Sequence, residues 1–527
     1  MKRKYLYLFL LLLFAAPLAA QEEQATVSEE LVCHKDAKNA FYTFNYPSVD
    51  AEGNPIVLSS ALIAWKKQPS ETDRIETLLI ACHVTITANY ECPSEYPKDG
   101  SVGSDVGIMQ TIPVMGLAYE RLRHSIIIMP DYEGYGVTKH RAHPYLAQAL
   151  TARQVADAAI WGMYLYQKLV DAGTNPALAD NWKSFCIGYS QGGATALATQ
   201  RYIEEGGLAE PLHFAGSICA AGPYDLMATM RYYIQDDGTS HGASTAHRQN
   251  QLSMPVVMPL IVKGMCDANP SMKGRQLSDY FTKKFLDTGI VGWIEDKAGE
   301  KAEQKKTDDI TRLLYDLCEK GLTAADGTTY TAKEMQQLFP TYKRTLGISG
   351  FTYTVYADLR EVLRPECYDY FIRLDDLYSL PEDVREDDVA VRDLHRAMLS
   401  NTLADGWVPQ HRVVFLHSKH DTIVPYDNYE SFATHHPDLE NTRIEIISKD
   451  DHLGTGTSFF ASMLTTGLKD YFEWIVEGLD TSTGIEAAGT RLHPMQGRFD
   501  LTGRCLDRVV PPHKGLYIIN GKKVANW

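Results

Sequence analysis

Short apolar runs recur along the chain and alternate with segments whose apolar residues return every three or four positions. The runs have the length of buried strands and lie at 56–65, 77–84, 125–130, 184–188, 215–222, 413–417 and 444–448. Helical patterns separate or follow them at 146–170, 193–205 and 459–479. This alternation predicts an α/β fold, with a mostly parallel central sheet covered by helices on both faces.

The alternation stops between residues 224 and 410, where helical patterns dominate and strand-like runs are few. A charge-dense stretch at 295–309 predicts a solvated helix or loop. We interpret 224–410 as one large insertion, a helical cap over the carboxyl-terminal edge of the sheet. It divides the core into a first part, 21–223, and a second part, 411–480.

Both ends of the chain differ from this pattern. The first twenty residues, MKRKYLYLFLLLLFAAPLAA, combine a basic start, an apolar run and small residues, which is typical of a secretory signal peptide. Residues 481–497 have the composition of a linker, and 498–527 predicts a small β module. Within that module Asn520-Gly521 favours a two-residue hairpin turn. No other segment approaches the length and apolarity of a membrane span.

The net charge excludes one class of partner. The formal charge is −16, and removal of Lys2, Arg3 and Lys4 with the signal peptide takes it to −19. A protein this acidic repels polyanions, and no basic patch with interleaved aromatic residues is present. We therefore expect no nucleic-acid partner.

The cysteines point to no metal site. Their number is nine, and their spacings match no common metal-binding pattern. Cys82, Cys186 and Cys219 lie in apolar runs and are expected to be buried thiols. The spacing of Cys82 and Cys92 permits a disulfide.

Residues 186–198, CIGYSQGGATALA, place Ser190 in the pattern Gly188-x-Ser190-x-Gly192. An apolar strand precedes this serine and a helical pattern follows it, which is the context that a nucleophile elbow requires. A second match, GTSHG at 238–242, follows a polar run instead. Ser190 is therefore the candidate nucleophile, with a small-residue loop as the alternative.

A serine nucleophile needs a base, and the base needs an orienting acid. Asp421 follows the strand at 413–417 and His452 follows the strand at 444–448, so the chain order is serine, acid, histidine. Carboxyl ends of parallel strands meet at one edge of a sheet, so these three side chains are predicted to converge there. Asp450 and Asp451 are rival acids, but their closeness to the base in sequence leaves them poorly placed to reach its far nitrogen.

The negative charge that develops during acyl transfer needs N–H donors already in place. The backbone N–H of Gln191, directly after the nucleophile, is the first predicted donor. The second is expected from the loop after 77–84, near His83 and Val84.

These motifs, together with PDYEGYG at 130–136, HPY at 143–145 and the contexts of Asp421 and His452, resemble the α/β-hydrolase superfamily, and within it the secretory-lipase-like esterases. The resemblance covers roughly 40–480. It implies Ser190 as nucleophile, His452 as base and Asp421 as acid, and it needs no metal or cofactor.

The same resemblance extends to residues around the nucleophile. His83 matches the histidine of the family's His-Gly-Thr oxyanion stretch, with Val84 where that glycine is expected. Asp131 and Tyr132 are implied in the floor of a substrate pocket, or else form a structural turn that packs the elbow. Tyr189 is a further candidate substrate contact.

The tail, with FDLTGR and KGLYIINGKK, resembles the C-terminal sorting domain of the Bacteroidetes type IX secretion system. This implies passage through the outer membrane and release or attachment at the cell surface, with the secretion machinery as a partner. The alternative is a small accessory β module, in which case the protein would be periplasmic.

The sequence therefore predicts a secreted serine hydrolase that cleaves carboxylic esters of lipids or small molecules through an acyl-enzyme. The cap favours a partly apolar substrate, because a helical cap excludes water and supplies apolar walls. A secreted serine peptidase of the capped aminopeptidase type is the alternative enzyme. A third hypothesis is a non-catalytic binding protein on the same fold.

Overall fold

The structure is a computed structural model. It describes residues 25–35, 39–65, 74–95, 124–235, 248–295, 306–343, 353–374, 376–382, 384–437, 440–447, 451–464, 467–482, 498–499, 515–519 and 522–526. The predicted signal peptide at 1–20, the second G-x-S-x-G match and most of the predicted linker lie outside these residues.

Seven strands, two α-helices and three short 3-10 helices form the described portion of the first part of the core. The strands are β1 (Val32–Lys35), β2 (Asn39–Val49), β3 (Pro55–Trp65), β4 (Ile75–Cys82), β5 (Ser125–Pro130), β6 (Leu178–Tyr189) and β7 (Phe214–Ala220). The α-helices are α1 (Gln148–Asp171) and α2 (Gln191–Glu205). Every apolar run predicted as a strand in this part is one.

The sequence reasoning missed β1 and β2. In β2 the buried aromatic rings of Tyr42, Phe44 and Tyr46 alternate with part-exposed residues such as Thr43 and Asn45. This is the pattern of a strand buried on one face, so its apolar residues never form a continuous run.

Short helices dominate the interval between β7 and the next strand of the main sheet. They are α3 (Leu226–Gln235), α4 (Val257–Ala268), α5 (Lys283–Leu286), α6 (Ile290–Glu295), α7 (Lys306–Lys320), α8 (Ala332–Leu338), α9 (Leu359–Val362), α10 (Pro365–Arg373) and α11 (Val389–Ser400). Strands of two or three residues accompany them: β8 (Gln251–Leu252), β9 (Leu322–Thr323), β10 (Thr329–Tyr330), β11 (Thr341–Lys343), β12 (Tyr353–Val355) and β13 (Ala357–Asp358). We call residues 224–410 the cap segment.

The second part of the core returns to long elements. They are β14 (Arg412–Ser418), α12 (Asp427–His435), β15 (Thr442–Ile447), α13 (His452–Leu464) and α14 (Gly467–Ser482). Three strands follow in the tail: β16 (Arg498–Phe499), β17 (Gly515–Ile519) and β18 (Lys522–Asn526). They pair antiparallel, and Ile519 lies opposite Lys522. The predicted turn Asn520-Gly521 lies outside the described residues.

The central sheet has the strand order β1-β2-β3-β5-β4-β6-β7-β14-β15. All neighbouring pairs from β5 to β15 are parallel, and the pairs from β1 to β5 are antiparallel. The predicted fold class, a mostly parallel sheet flanked by helices, is therefore confirmed.

Helices cover both faces of this sheet. Side chains alternate along β6, so Cys186 packs on the face covered by α1 and α2, while Phe185 and Ile187 pack on the opposite face. On that second face lie Phe459 of α13 and Ile475 of α14. Strands β3–β7 and β14 are buried on both sides, which explains why the sequence shows them as continuous apolar runs.

The cap segment has an apolar core of its own. Two residues of the first core part, Tyr145 and Leu146, belong to this cluster and join the cap to the sheet layer. No helix in the described part of the chain is long and apolar enough to cross a membrane.

Every cysteine in the described residues is a free thiol, including Cys82 and Cys92, whose spacing permitted a disulfide. Cys82, Cys186 and Cys219 are buried, as predicted. Burial raises the pKa of Cys82 to about 12, which keeps this thiol protonated and unreactive.

Candidate active site

Ser190 lies on a sharp turn between β6 and α2. Its backbone has φ 57° and ψ −124°, a conformation that a residue other than glycine adopts only under strain of about 1–3 kcal/mol. Its N–H donates to the carbonyl oxygen of Ala220 at 2.8 Å, which anchors the turn to β7. The side chain is half-buried, so its hydroxyl remains accessible.

The glycines around Ser190 are required by close backbone approach. A Cβ at Gly188 would overlap the carbonyl group of Gly192, and a Cβ at Gly192 would overlap the carbonyl oxygen of Cys82 at the end of β4. Strand and helix can therefore approach closely enough to hold the strained serine.

Asp421 follows β14 and is 2% exposed. Its Oδ1 accepts the backbone N–H groups of Ile423 and Val424, each at 2.9 Å. Its Oδ2 accepts from Nδ1 of His452 at 2.6 Å. The carboxylate is thus held at one oxygen by its own loop and aims the other at the imidazole.

His452 begins α13 and is 5% exposed. Because a carboxylate oxygen accepts at Nδ1, that nitrogen carries the proton and Nε2 is left as an acceptor. Nε2 lies 3.0 Å from Oγ of Ser190. The hydroxyl of Tyr189 donates to the carbonyl oxygen of His452 at 2.6 Å, which ties the histidine backbone to β6.

The structure thus brings together Ser190, His452 and Asp421, residues that are up to 262 positions apart in sequence. Of the rival acids, Asp450 lies outside the described residues. The Oδ1 of Asp451 accepts the backbone N–H of Gly454 at 3.3 Å, within the first turn of α13.

Gln191 is the first residue of α2, and the first N–H groups of a helix have no acceptor within it. Its side-chain Nε2 donates to Nε2 of His143 at 2.8 Å, while Nδ1 of His143 donates to the carbonyl oxygen of Glu133 at 2.8 Å. His143 therefore fixes the side chain of the residue whose backbone is the predicted oxyanion donor. His143 belongs to the HPY motif at 143–145, but the sequence alone predicted no role for it.

His83 directs both ring nitrogens at carbonyl oxygens, Nδ1 at Val84 (2.6 Å) and Nε2 at Asp131 (3.0 Å). Two acceptors favour a protonated ring, but burial outweighs them and lowers its pKa to about 4. The neutral ring stacks on Tyr132, with 3.9 Å between the ring centroids. The neutral ring donates to one of these two carbonyls, and Val84 itself is half-buried two residues after β4.

Asp131 and Tyr132 are both buried. Oδ2 of Asp131 accepts from the hydroxyl of Ser59 at 2.5 Å, and Oδ1 accepts the N–H of Ser94 at 2.7 Å. Burial raises the pKa of Asp131. Tyr132 has φ 66°. These contacts favour a structural turn, one of the two alternatives that the sequence left open for this pair.

A further residue at the site was not predicted. His417, at the end of β14, is fully buried, and its Nε2 donates to the carbonyl oxygen of Val424 at 2.8 Å. The same nitrogen lies 3.6 Å from Oδ2 of Asp421. Burial lowers the pKa of His417, so it supports the acid loop as a neutral ring. The position of His417 in the strand that precedes Asp421 was the sequence signal that could have identified it.

No family model matches the chain, and no curated protein matches its sequence. Solved structures do match. The rice cell wall degrading esterase LipA from Xanthomonas oryzae has a TM-score of 0.52 at 20% identity, over 85% of this chain and 92% of that one. A ligand-bound form of that esterase has a TM-score of 0.52 at 18% identity, over 88% and 98%. Candida antarctica lipase A in its closed state has a TM-score of 0.48 at 12% identity, over 84% and 78%.

The fold is that of the α/β-hydrolases. At these identities the likeness to LipA establishes the architecture and leaves the chemistry to the residues themselves. In this α/β-hydrolase fold, Ser190 follows β6, Asp421 follows β14 and His452 follows β15. All three therefore lie at the carboxyl edge of the sheet, where open α/β sheets build their sites.

A cavity of about 280 Å³ lies between the loop after β5 and helices α4 and α6 of the cap segment. His143, which holds the Gln191 side chain, forms part of its wall. Leu260 and Ile294 supply apolar surface, and Arg141 and Lys263 supply charge that Glu133 and Asp267 respectively neutralise. Lys139 and His140 also line the cavity, which thus offers mixed apolar and polar walls with basic side chains among them.

Proposed function

We propose that the protein is a secreted serine hydrolase that cleaves carboxylic esters. The observation that carries the proposal is the continuous hydrogen-bond chain from Oγ of Ser190 through the ring of His452 to Oδ2 of Asp421, at 3.0 and 2.6 Å. The strained backbone of Ser190 supports it, because such strain persists where it serves a function.

In this proposal His452 Nε2 takes the proton of Ser190 while Oγ attacks the ester carbonyl carbon. Asp421 holds the imidazole in the required tautomer and stabilises the imidazolium that forms. The N–H of Gln191, with a donor from the loop at Val84, stabilises the tetrahedral oxyanion. The alcohol leaves with the proton from His452, and water then releases the acyl group by the same route.

The test is Ser190→Ala assayed with short-chain p-nitrophenyl esters. Turnover and labelling by a fluorophosphonate probe should both be lost, because Ser190 is the proposed nucleophile that forms the acyl-enzyme. Ser400→Ala, an exposed serine at the end of α11, is the matched control and should behave like the wild type. A folded Ser190→Ala protein that kept its turnover would place the nucleophile elsewhere.

We infer the substrate class from the walls of the cavity beside His143, because His143 binds the side chain of Gln191, the residue after the nucleophile. Medium-chain acyl esters are the first candidate, since Leu260 and Ile294 offer apolar surface. Carbohydrate-linked acyl or aromatic esters are the second candidate, and the plant cell wall named for the LipA structures supports them by analogy. A panel of esters of increasing acyl length, run beside proline and alanine anilides, separates these from a peptidase.

We propose further that the tail carries a type IX sorting signal, which its three antiparallel strands support. Deletion of 498–527 in the organism of origin should leave the enzyme in the periplasm. Export to the medium or the cell surface by the shortened chain would instead make the tail an accessory module.

A further inference from the structure

Two hydroxyl groups of the cap segment reach the loop that carries Asp421. The Tyr233 hydroxyl, on α3, lies 2.5 Å from the carbonyl oxygen of Thr422 and 2.9 Å from that of Ile423. The Ser253 hydroxyl, just after β8, donates to the same Thr422 oxygen at 2.7 Å. A phenol has a single proton, so Tyr233 shares it between the two carbonyls, and neither oxygen is left without a donor.

These carbonyls belong to the two peptide groups whose N–H groups hold the catalytic carboxylate. The Thr422 carbonyl and the Ile423 N–H are one planar unit, and so are the Ile423 carbonyl and the Val424 N–H. Both N–H groups donate to Oδ1 of Asp421. Holding the carbonyl end of each plane therefore fixes the direction of its N–H end.

The Tyr233 hydroxyl also strengthens the two N–H hydrogen bonds to Asp421 that it orients. A hydrogen bond accepted by a carbonyl polarises its peptide group, so the N–H on the other end becomes a better donor. With Oδ1 held in this way, Oδ2 is left free to face Nδ1 of His452 at 2.6 Å. Tyr233 thus acts on the triad from behind the loop, through the peptide groups that hold Asp421.

Tyr233 is itself held rigidly. It is 2% exposed, and its carbonyl oxygen accepts the N–H of Asn250 at 2.7 Å. At the start of α3, Asp225 caps the helix through Met227 N–H and is bound by the hydroxyl of Ser431 on α12 at 2.5 Å. The base of the cap segment is therefore fastened to the core on the side of α12 as well as at the acid loop.

We propose that Tyr233 is a positioning residue for the triad, supplied by the cap segment, and that Ser253 assists it. This inference rests on the proposed ester hydrolysis. It means that the base of the cap is part of the catalytic framework, and that motion of α3 away from the core would disorient Asp421.

The experiment compares Tyr233→Phe, Ser253→Ala and the wild type with a medium-chain p-nitrophenyl ester. Tyr233→Phe should lower kcat by roughly 10- to 100-fold with KM unchanged, the effect expected from loss of one buried hydrogen-bond donor. Ser253→Ala should lower kcat only about two- to fivefold, since Tyr233 still holds the Thr422 carbonyl. The far-downfield proton resonance of the bond between His452 and Asp421 should weaken or shift in Tyr233→Phe.

Tyr370→Phe is the matched control. It removes another buried cap hydroxyl, whose hydrogen-bond partner is Nδ1 of His395 at 3.0 Å instead of a carbonyl of the acid loop, so it should lower stability but leave kcat and the resonance unchanged. Equal losses of kcat in Tyr370→Phe and Tyr233→Phe would show that Tyr233 has only a structural role. Wild-type kcat and an unchanged resonance in folded Tyr233→Phe would overturn the proposal, and so would an effect on KM alone.

If Tyr233→Phe does not fold, Ser253→Ala decides the matter, because Ser253 is part-exposed and its loss leaves the cap core intact. A wild-type kcat and resonance in that variant would then count against the proposal. Failure of the wild-type chain to turn over any ester would instead refute the proposed function, and the resonance would still report whether Tyr233 orders the triad.

Discussion

Replacement of Asp421 by asparagine tests the acid of the triad. The asparagine would keep Oδ1 toward the N–H groups of Ile423 and Val424, because the reverse orientation would bring its NH₂ group against two donors. Its NH₂ group would then face Nδ1 of His452, where Oδ2 now lies at 2.6 Å. Nδ1 would have to become the acceptor, and the ring proton would move to Nε2, opposite Ser190.

A ring with its proton on Nε2 cannot accept the proton of the nucleophile. Loss of the correct tautomer costs about 10⁴-fold in kcat, or about 5.5 kcal/mol of barrier at 1.36 kcal/mol for each tenfold. We expect this loss in Asp421→Asn with KM nearly unchanged, measured by steady-state hydrolysis of p-nitrophenyl esters. Asp451→Asn, which alters an acceptor for Gly454 N–H in α13, should stay within about twofold of the wild type.

Two results would refute the assignment of Asp421 as the acid of the triad. An Asp421→Asn enzyme within tenfold of the wild type would remove Asp421 from the triad. A large loss in Asp451→Asn, with little loss in Asp421→Asn, would show that the rival acid performs the role. Circular dichroism of both variants would establish that they are folded before either result is interpreted.

Three further predictions concern the framework. Gly192→Ala should abolish activity and lower the free energy of unfolding by about 1–3 kcal/mol or more, because its Cβ would overlap the backbone of Cys82. Wild-type activity in an ester assay, with wild-type stability in a urea titration, would contradict this. Burial raises the pKa of Asp131, so its contribution to stability is present at low pH and is lost as pH rises through its folded pKa. Asp131→Asn should therefore be as stable as the wild type or more so at pH 7.5, with the difference shrinking at pH 4 in denaturant titrations. The last prediction concerns the thiols, with Cys505 replaced by serine because it lies outside the described residues. Alkylation of this protein in its native state should modify exposed Cys33 first, and mass spectrometry showing faster labelling of Cys82 would refute the buried-thiol account.

The local pattern of residues was enough to predict the strands of the parallel half of the sheet, the nucleophile elbow at Ser190 and the order of the triad residues along the chain. Strands buried on both faces must be continuous apolar runs, so β3–β7 and β14 were visible without coordinates. The half-buried edge strand β15 was visible through its isoleucines. The residue types and the strand–turn–helix context around Ser190 are likewise local, since sterics at Gly188 and Gly192 demand them. The antiparallel β1 and β2 escaped, because a strand buried on one face shows only weak alternation.

The arrangement around Asp421 depended on contacts between distant segments. Tyr233, Ser253 and His417 carry no motif, and each matters only because folding brings its polar hydrogen to the carbonyl groups of one four-residue loop. Hydrogen bonds act over about 3 Å, so a pattern along the chain cannot show which of many buried tyrosines supplies one. The residue types of the catalytic groups were therefore readable from the chain, whereas tertiary packing decided what holds them in place.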